Sequence, residues 1–307
     1  MFIRQNSAET RFMNNDGKMS YYKIVARKIS SRRLKRILDR YYEEFNFEER
    51  VQQDPITIPR GYSNPADIEI AGFTAASFAY GKVSLFRPVV EKILEPAGKR
   101  PAEFINNFTL KKDAKHFKDI RYRFNREQDI LCFIYLVSET IKKKGSLMKL
   151  FYSCHDSNAQ DIKNALSRFT ECILETDTTP VYGRNIRPDG LKQLFPSPQK
   201  GSACKRTNLF LRWMVRKRDI DFGIWDRVPA SHLIIPLDTH IARISKCLGL
   251  TQRSSSDWKT AREITEALKQ FDPEDPLKYD FALCHHGIAG LCRGTQVPAV
   301  CASCDFN

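Results

Sequence analysis

Three groups of residues in this chain have types and spacings suited to chemistry: an acid at a helix start, a lysine heading a basic helix, and four cysteines near the C-terminus. Asp238 follows the run Leu233-Ile234-Ile235-Pro236-Leu237 and precedes Thr239-His240-Ile241-Ala242-Arg243-Ile244. The apolar run stops at a proline; Ile241, Ile244 and Leu248 then recur at helical spacing, Arg243 and Lys246 turn outward, and Gly249 sits where the helix should stop. Asp238 is thereby the predicted N-cap, its carboxylate held against the unsatisfied N–H groups of the first turn. Taken alone, such an acid is ordinarily a cap and nothing more.

The lysine lies upstream. Gly201-Ser202-Ala203-Cys204-Lys205-Arg206-Thr207-Asn208 opens a helix with Ser202 as predicted cap and Leu209, Phe210, Trp213 and Met214 as its buried side. Lys205, Arg212 and Arg216 recur on the other side. A glycine-preceded helix start with exposed N–H groups and a first-turn Lys-Arg pair suits phosphate, so Lys200, Gly201, Arg206, Arg212 and Arg216 are expected to contact nucleic acid. Tyr80 and Lys82 flank Gly81 at the end of an apolar helix and form a second expected contact, although Gly81 is equally suited to an ordinary helix C-cap.

Cys301-Ala302-Ser303-Cys304 is a two-ligand unit for zinc or an iron–sulfur cluster, with Cys292 and Cys284 before it. Free thiols are the competing reading. His285 and His286 are adjacent and point apart on a helix, so at most one joins such a site.

These residues need elements to position them, and almost every segment reads as helix. A cap at Ser30-Ser31 precedes Leu34, Ile37, Leu38, Tyr41, Tyr42 and Phe45. Residues 65–80 are apolar nearly all round, with Ala71, Gly72, Ala75 and Ala76 small enough for close helix approach. Further helices are expected at about 85–94, 101–108, 127–143 and 160–175, with another starting at Asp275-Pro276. No stretch alternates with period two, so the fold class is all-α.

The formal charge of +14 over 307 residues favours a polyanionic partner, nucleic acid above all. No apolar run approaches a membrane span, so no membrane partner is expected. Residues 1–18 lack a signal peptide's apolar core, and residues 1–29 read as a flexible leader. Nine cysteines, an odd count in a long chain without an export signal, fit a reducing cytoplasm better than a disulfide framework. A monomer is expected.

The segment Pro236-Leu237-Asp238-Thr239-His240-Ile241-Ala242-Arg243 resembles the Gly/Pro-Asp signature of the helix-hairpin-helix DNA glycosylase superfamily. The resemblance covers about residues 67–304, and the chain looks most like a bacterial branch at the edge of that superfamily. The 33 positions from Lys205 to Asp238 bring it nearest in spacing to the archaeal 8-oxoguanine DNA glycosylases. One departure is clear: where the hairpin usually reads Leu-Pro-Gly-Val-Gly, this chain has Phe195-Pro196-Ser197-Pro198-Gln199-Lys200-Gly201-Ser202.

What the resemblance implies is specific. The fold would have two helical lobes with a DNA-binding cleft between them: residues 30–60 with 238–307, and residues 61–237, the latter including a hairpin-like segment at 191–217. Lys205 would be the nucleophile and Asp238 the acid of a glycosylase acting on a damaged base, such as an oxidised purine, in duplex DNA, with lyase activity through the lysine. Trp225 and Phe222 are candidates to stack a flipped base, whereas Trp213 reads as core. A [4Fe–4S] cluster would use Cys292, Cys301 and Cys304, with Cys284 replacing the missing fourth ligand; zinc would use the same set, and a degenerate loop would need neither. The rival reading is a non-catalytic DNA- or RNA-binding helical module that keeps the scaffold and the charge.

Overall fold

Apolar residues at three- and four-residue intervals dictate helices, and fifteen α-helices lie among the described residues of the computed structural model, which are 9–13, 19–23, 30–292, 301, 304 and 306. The departure from an all-helical chain is a two-stranded antiparallel ribbon, Glu9–Met13 against Met19–Lys23, pairing Glu9 with Lys23 and Met13 with Met19. It falls in the expected leader, whose residues 1–8, 14–18 and 24–29 lie outside the described residues. Among the described residues no helix is long and apolar enough to cross a membrane.

The helix starts follow local chemistry. Ser30 caps Ser31–Glu43 by accepting the Arg33 N–H, and Leu34, Ile37 and Leu38 are buried beneath it. Pro65–Phe78 has Asn64 as its cap and a proline at its first position, and it is buried on almost every side. Helix Lys205–Val215 packs closely against it. Gly72 permits that approach: a Cβ there would stand 3.1 Å from the end of the Met214 side chain. Glu127–Lys144 ends at Gly145 with φ 87°, a left-handed stop that favours glycine. The helix expected from Asp275-Pro276 starts later, as Asp280–Ile288, because Asp275 is held by Arg216 instead of capping a helix.

Within the buried Pro65–Phe78 helix sits one carboxylate with a structural task. Glu69 accepts the Leu147 and Met148 N–H groups at 3.0 Å each and the Trp225 indole N–H at 3.1 Å. It thus satisfies first-turn donors of helix Leu147–Cys154 from another part of the chain. Burial outweighs these hydrogen bonds and pushes the Glu69 carboxyl up, from 4.5 to about 6. A raised folded-state pKa favours the folded state below the unfolded value and loses that contribution as pH rises through the folded one. The stability of the parent protein relative to Glu69→Gln is therefore expected to fall by about 1.5 kcal/mol between pH 4.5 and pH 6.5, read from urea midpoints. A pH-independent difference between the two proteins would contradict this.

The elements that build the site come from distant parts of the chain. Helix Thr239–Cys247 packs on helix Asp280–Ile288. The first helix is tied to the same region through Asp39, which accepts from Lys278 Nζ at 3.0 Å and from the Tyr279 hydroxyl at 2.6 Å. Tyr42 and Tyr279 meet edge-to-face.

Candidate active site

Two helix faces look at one another across a cleft of about 940 Å³. Lys205, Leu209 and Arg212, at i, i+4 and i+7, supply one face; Asp280, Phe281, Cys284, His285 and Ile288 supply the other. Residues 79–84 with Phe86 form a rim, and Pro236, Asp238, Thr239 and His240 close the cleft beside the lysine.

Asp238 is the cap that its sequence position predicts. Its Oδ1 accepts the backbone N–H groups of His240 and Ile241, both at 2.9 Å. That arrangement leaves Oδ2 toward the cleft, 4.0 Å from Lys205 Nζ and 3.5 Å from the Cys284 thiol that donates to it. Lys205 Nζ also donates to the Ala79 carbonyl at 3.4 Å. With side-chain exposures of 33% for Lys205 and 17% for Asp238, the pair remains reachable from solvent. A partly exposed ion contact of this kind adds little to stability.

The start of the lysine helix differs from the expected one. Its N-cap is Cys204, not Ser202, and Cys204 adopts a left-handed conformation with φ 49°. The Ser202 hydroxyl instead accepts the Cys204 N–H at 3.1 Å, and the Cys204 thiol donates to the Ser202 carbonyl at 3.4 Å. Such a conformation costs a non-glycine residue about 1 kcal/mol or more. It makes Lys205 the first helical residue, at the cleft wall. Gly201, with φ 80°, ends the short 3₁₀ turn Pro198–Lys200.

The expected nucleic-acid contacts divide into two groups. Lys82, Lys200 and Gly201 are exposed. The arginines are engaged with groups of the protein itself. Arg206 donates to the carbonyls of Ser77 and Gln193 and stacks over Tyr80, with 4.9 Å from its guanidinium carbon to the ring centroid. Burial draws its pKa down to about 10. Arg212 and Arg216 are each only 2% exposed. Arg212 pairs with Asp221 at 3.2 Å and Asp280 at 2.5 Å; Arg216 takes Asp275 through two contacts of 2.8 Å and also pairs with Asp219 and Asp221. The cause is that Thr207–Val215 is buried on every side, so the face opposite the apolar stripe has no water to meet. Tyr80 is half-buried, its hydroxyl donating to Asn125 and to the Tyr122 carbonyl, and it remains at the cleft rim.

The aromatic expectations also shift. Trp213 is core, as its position suggests, while Trp225 is buried on Glu69 and neither it nor Phe222 lines the cleft. Tyr80, Phe86 and Phe281 are its aromatic residues.

Cys284 lines the cleft, with its thiol on Asp238 Oδ2. Burial, with Asp238 and Asp280 beside it, pushes its thiol pKa well above the usual range. Among the described residues no three His, Cys, Asp or Glu side chains are grouped to hold a metal. Cys292, Cys301 and Cys304 are the expected companions of Cys284 in a cluster, and residues 293–300, 302 and 303 of that loop lie outside the described residues. Burial likewise pushes the Asp280 carboxyl up, to about 6, against the pull of Arg212.

Sequence reasoning missed Asp54, Asp280, Phe281 and His285, which share the inner part of the cleft with Arg212. The available signal was an imbalance: two arginines on a mostly apolar helix call for buried acids, and Asp219, Asp221, Asp275 and Asp280 all lie downstream.

No curated protein and no solved structure matches the chain. The family described as protein of unknown function (DUF2400) matches residues 54–289, a span that contains the cleft residues named above, and the chain belongs to that family.

Proposed function

We propose that this protein is a DNA glycosylase with lyase activity, acting on a damaged base extruded from duplex DNA into the cleft. The observation that carries the reading is the meeting of Lys205 Nζ and Asp238 Oδ2 at 4.0 Å on the wall of a cleft of about 940 Å³. An amine and a carboxylate this close can exchange a proton once they tighten to hydrogen-bond distance in the complex, an exchange the reaction needs twice.

Asp238 takes a proton from the Lys205 ammonium, and the free amine attacks C1′ of the flipped nucleotide. The N-glycosidic bond breaks with its electron pair leaving on the base, and the acid formed at Asp238 returns a proton to that base. The lysine adduct then loses a proton to Asp238, which passes it to O4′ as the C1′–O4′ bond opens, giving a protonated imine to the lysine and a hydroxyl at C4′. Asp238, again a carboxylate, takes a C2′ proton, and the electrons of that bond expel the 3′ phosphate. Exposed Lys82, Lys200 and the backbone of Gly201 are placed to take flanking phosphates, consistent with the net charge of +14. Extruding the base costs a few kcal/mol, least for a mismatched or damaged one.

The test is borohydride trapping on a panel of lesion-containing duplexes. A covalent protein–DNA adduct is expected on at least one lesion and is expected to vanish in Lys205→Ala. Base release without an adduct would leave a glycosylase and remove the lyase step. Binding to an abasic analogue with no base release from any lesion would overturn the enzyme in favour of a binding module; tighter binding to RNA in competition would overturn the DNA assignment.

A further inference from the structure

The inner end of the cleft holds a feature that neither capping nor the lysine–aspartate pair uses. Arg212 lies seven residues after Lys205 on the same helix face, about 10 Å further along the axis. Its side chain is 98% buried, Nε is held by Asp221 at 3.2 Å, and Nη1 is held by Asp280 at 2.5 Å. Its third nitrogen, Nη2, is buried and has no hydrogen-bond partner among the described residues. A buried cationic donor without an acceptor costs about 1–3 kcal/mol or more. Here the donor belongs to a residue that lines the cleft.

The surroundings set what it would meet. Phe281 lies under the guanidinium, 5.7 Å from its carbon to the ring centroid, and gives that end a flat apolar wall. Asp54 borders the same end, with Oδ1 accepting the Ile56 N–H at 2.9 Å and Oδ2 lying 3.5 Å from His285 Nε2. The two held nitrogens fix the guanidinium plane, so a base that reached Nη2 would meet a preorganised donor and not a swinging one.

We infer that Arg212 is the specificity-determining residue of the cleft and that it selects bases carrying a ring carbonyl. Arg212 Nη2 donates to the carbonyl oxygen, and Asp54 accepts from the adjoining ring N–H. An amino base turns a donor toward Arg212, which has no acceptor capacity. This rests on the proposed occupation of the cleft by an extruded base, but it concerns recognition and not bond cleavage.

Its test uses the free bases hypoxanthine and adenine, which differ in this edge, titrated into the full-length protein and followed by calorimetry. Hypoxanthine is expected to bind at least about 10-fold more tightly than adenine, the equivalent of one buried donor left unpaired. Arg212→Lys, which keeps the charge for Asp221 and Asp280 but loses the fork, is expected to erase the difference. The comparison within the parent protein stands even if that variant fails to fold. Equal affinities, a preference for adenine, or binding of neither base would overturn the inference. A hypoxanthine preference with no base release from any lesion would support the recognition role while overturning the glycosylase; base release indifferent to the carbonyl would do the reverse.

Discussion

Asp238→Asn is expected to fold with stability within about 1 kcal/mol of the parent while releasing base about 10²–10⁴-fold more slowly. The two effects separate because the two oxygens of Asp238 have separate tasks. Oδ1 accepts the His240 and Ile241 N–H groups, and an amide oxygen does this as well as a carboxylate, since Asn and Asp are equivalent as caps. Oδ2 faces Lys205 Nζ at 4.0 Å and is the only one of the two oxygens that can take the proton. An amide in its place cannot do so. Asp238→Ala should lose both tasks, with about 1 kcal/mol of destabilisation from the missing cap added to the same kinetic loss. Urea unfolding and single-turnover base release, measured on both variants, separate the roles. If Asp238→Asn released base at the parental rate, Asp238 would be a cap alone.

That double task explains what could be read from the sequence and what could not. Local chemistry was legible: Ser30 and Asp238 as caps, and the all-round apolarity of Pro65–Phe78. Each of these depends on residues within a turn or two of one another. The meeting of Lys205 with Asp238 was not legible from periodicity, because it depends on how two helices cross, and only the resemblance to a known signature suggested it. Arg212 and Arg216 were misplaced for a related reason. Spacing puts them opposite an apolar stripe, but spacing cannot tell whether that opposite face meets water or a second layer of protein. Here it meets Asp219, Asp221, Asp275 and Asp280. Cys284 was grouped with the C-terminal cysteines by order along the chain, whereas its place on helix Asp280–Ile288 turns its sulfur to Asp238.

Arg216→Ala is expected to destabilise the protein by about 3–5 kcal/mol, a large share of the 5–15 kcal/mol that folded domains of ordinary size possess. The residue touches three carboxylates: Asp275 through two parallel contacts at 2.8 Å, Asp219 at 3.1 Å, and Asp221, which lies wholly out of solvent. Removing the guanidinium strands Asp275 beside a cavity and leaves the buried Asp221 with Arg212 alone. Burial already raises the Asp221 pKa against the pull of Arg212 and Arg216, so loss of Arg216 raises it further. A folded-state pKa raised in this way makes the folded form the better proton acceptor, so the variant regains stability as pH falls. The deficit should therefore be largest at neutral pH and smaller in mildly acidic buffer, as read from urea unfolding at two pH values. Lys200→Ala, removing an exposed cation expected from the sequence to play the same part, should change stability little at either pH. Equal, small and pH-independent effects of the two substitutions would return Arg216 to the surface, and helix Lys205–Val215 could not then be the buried strut that holds Lys205 to the cleft.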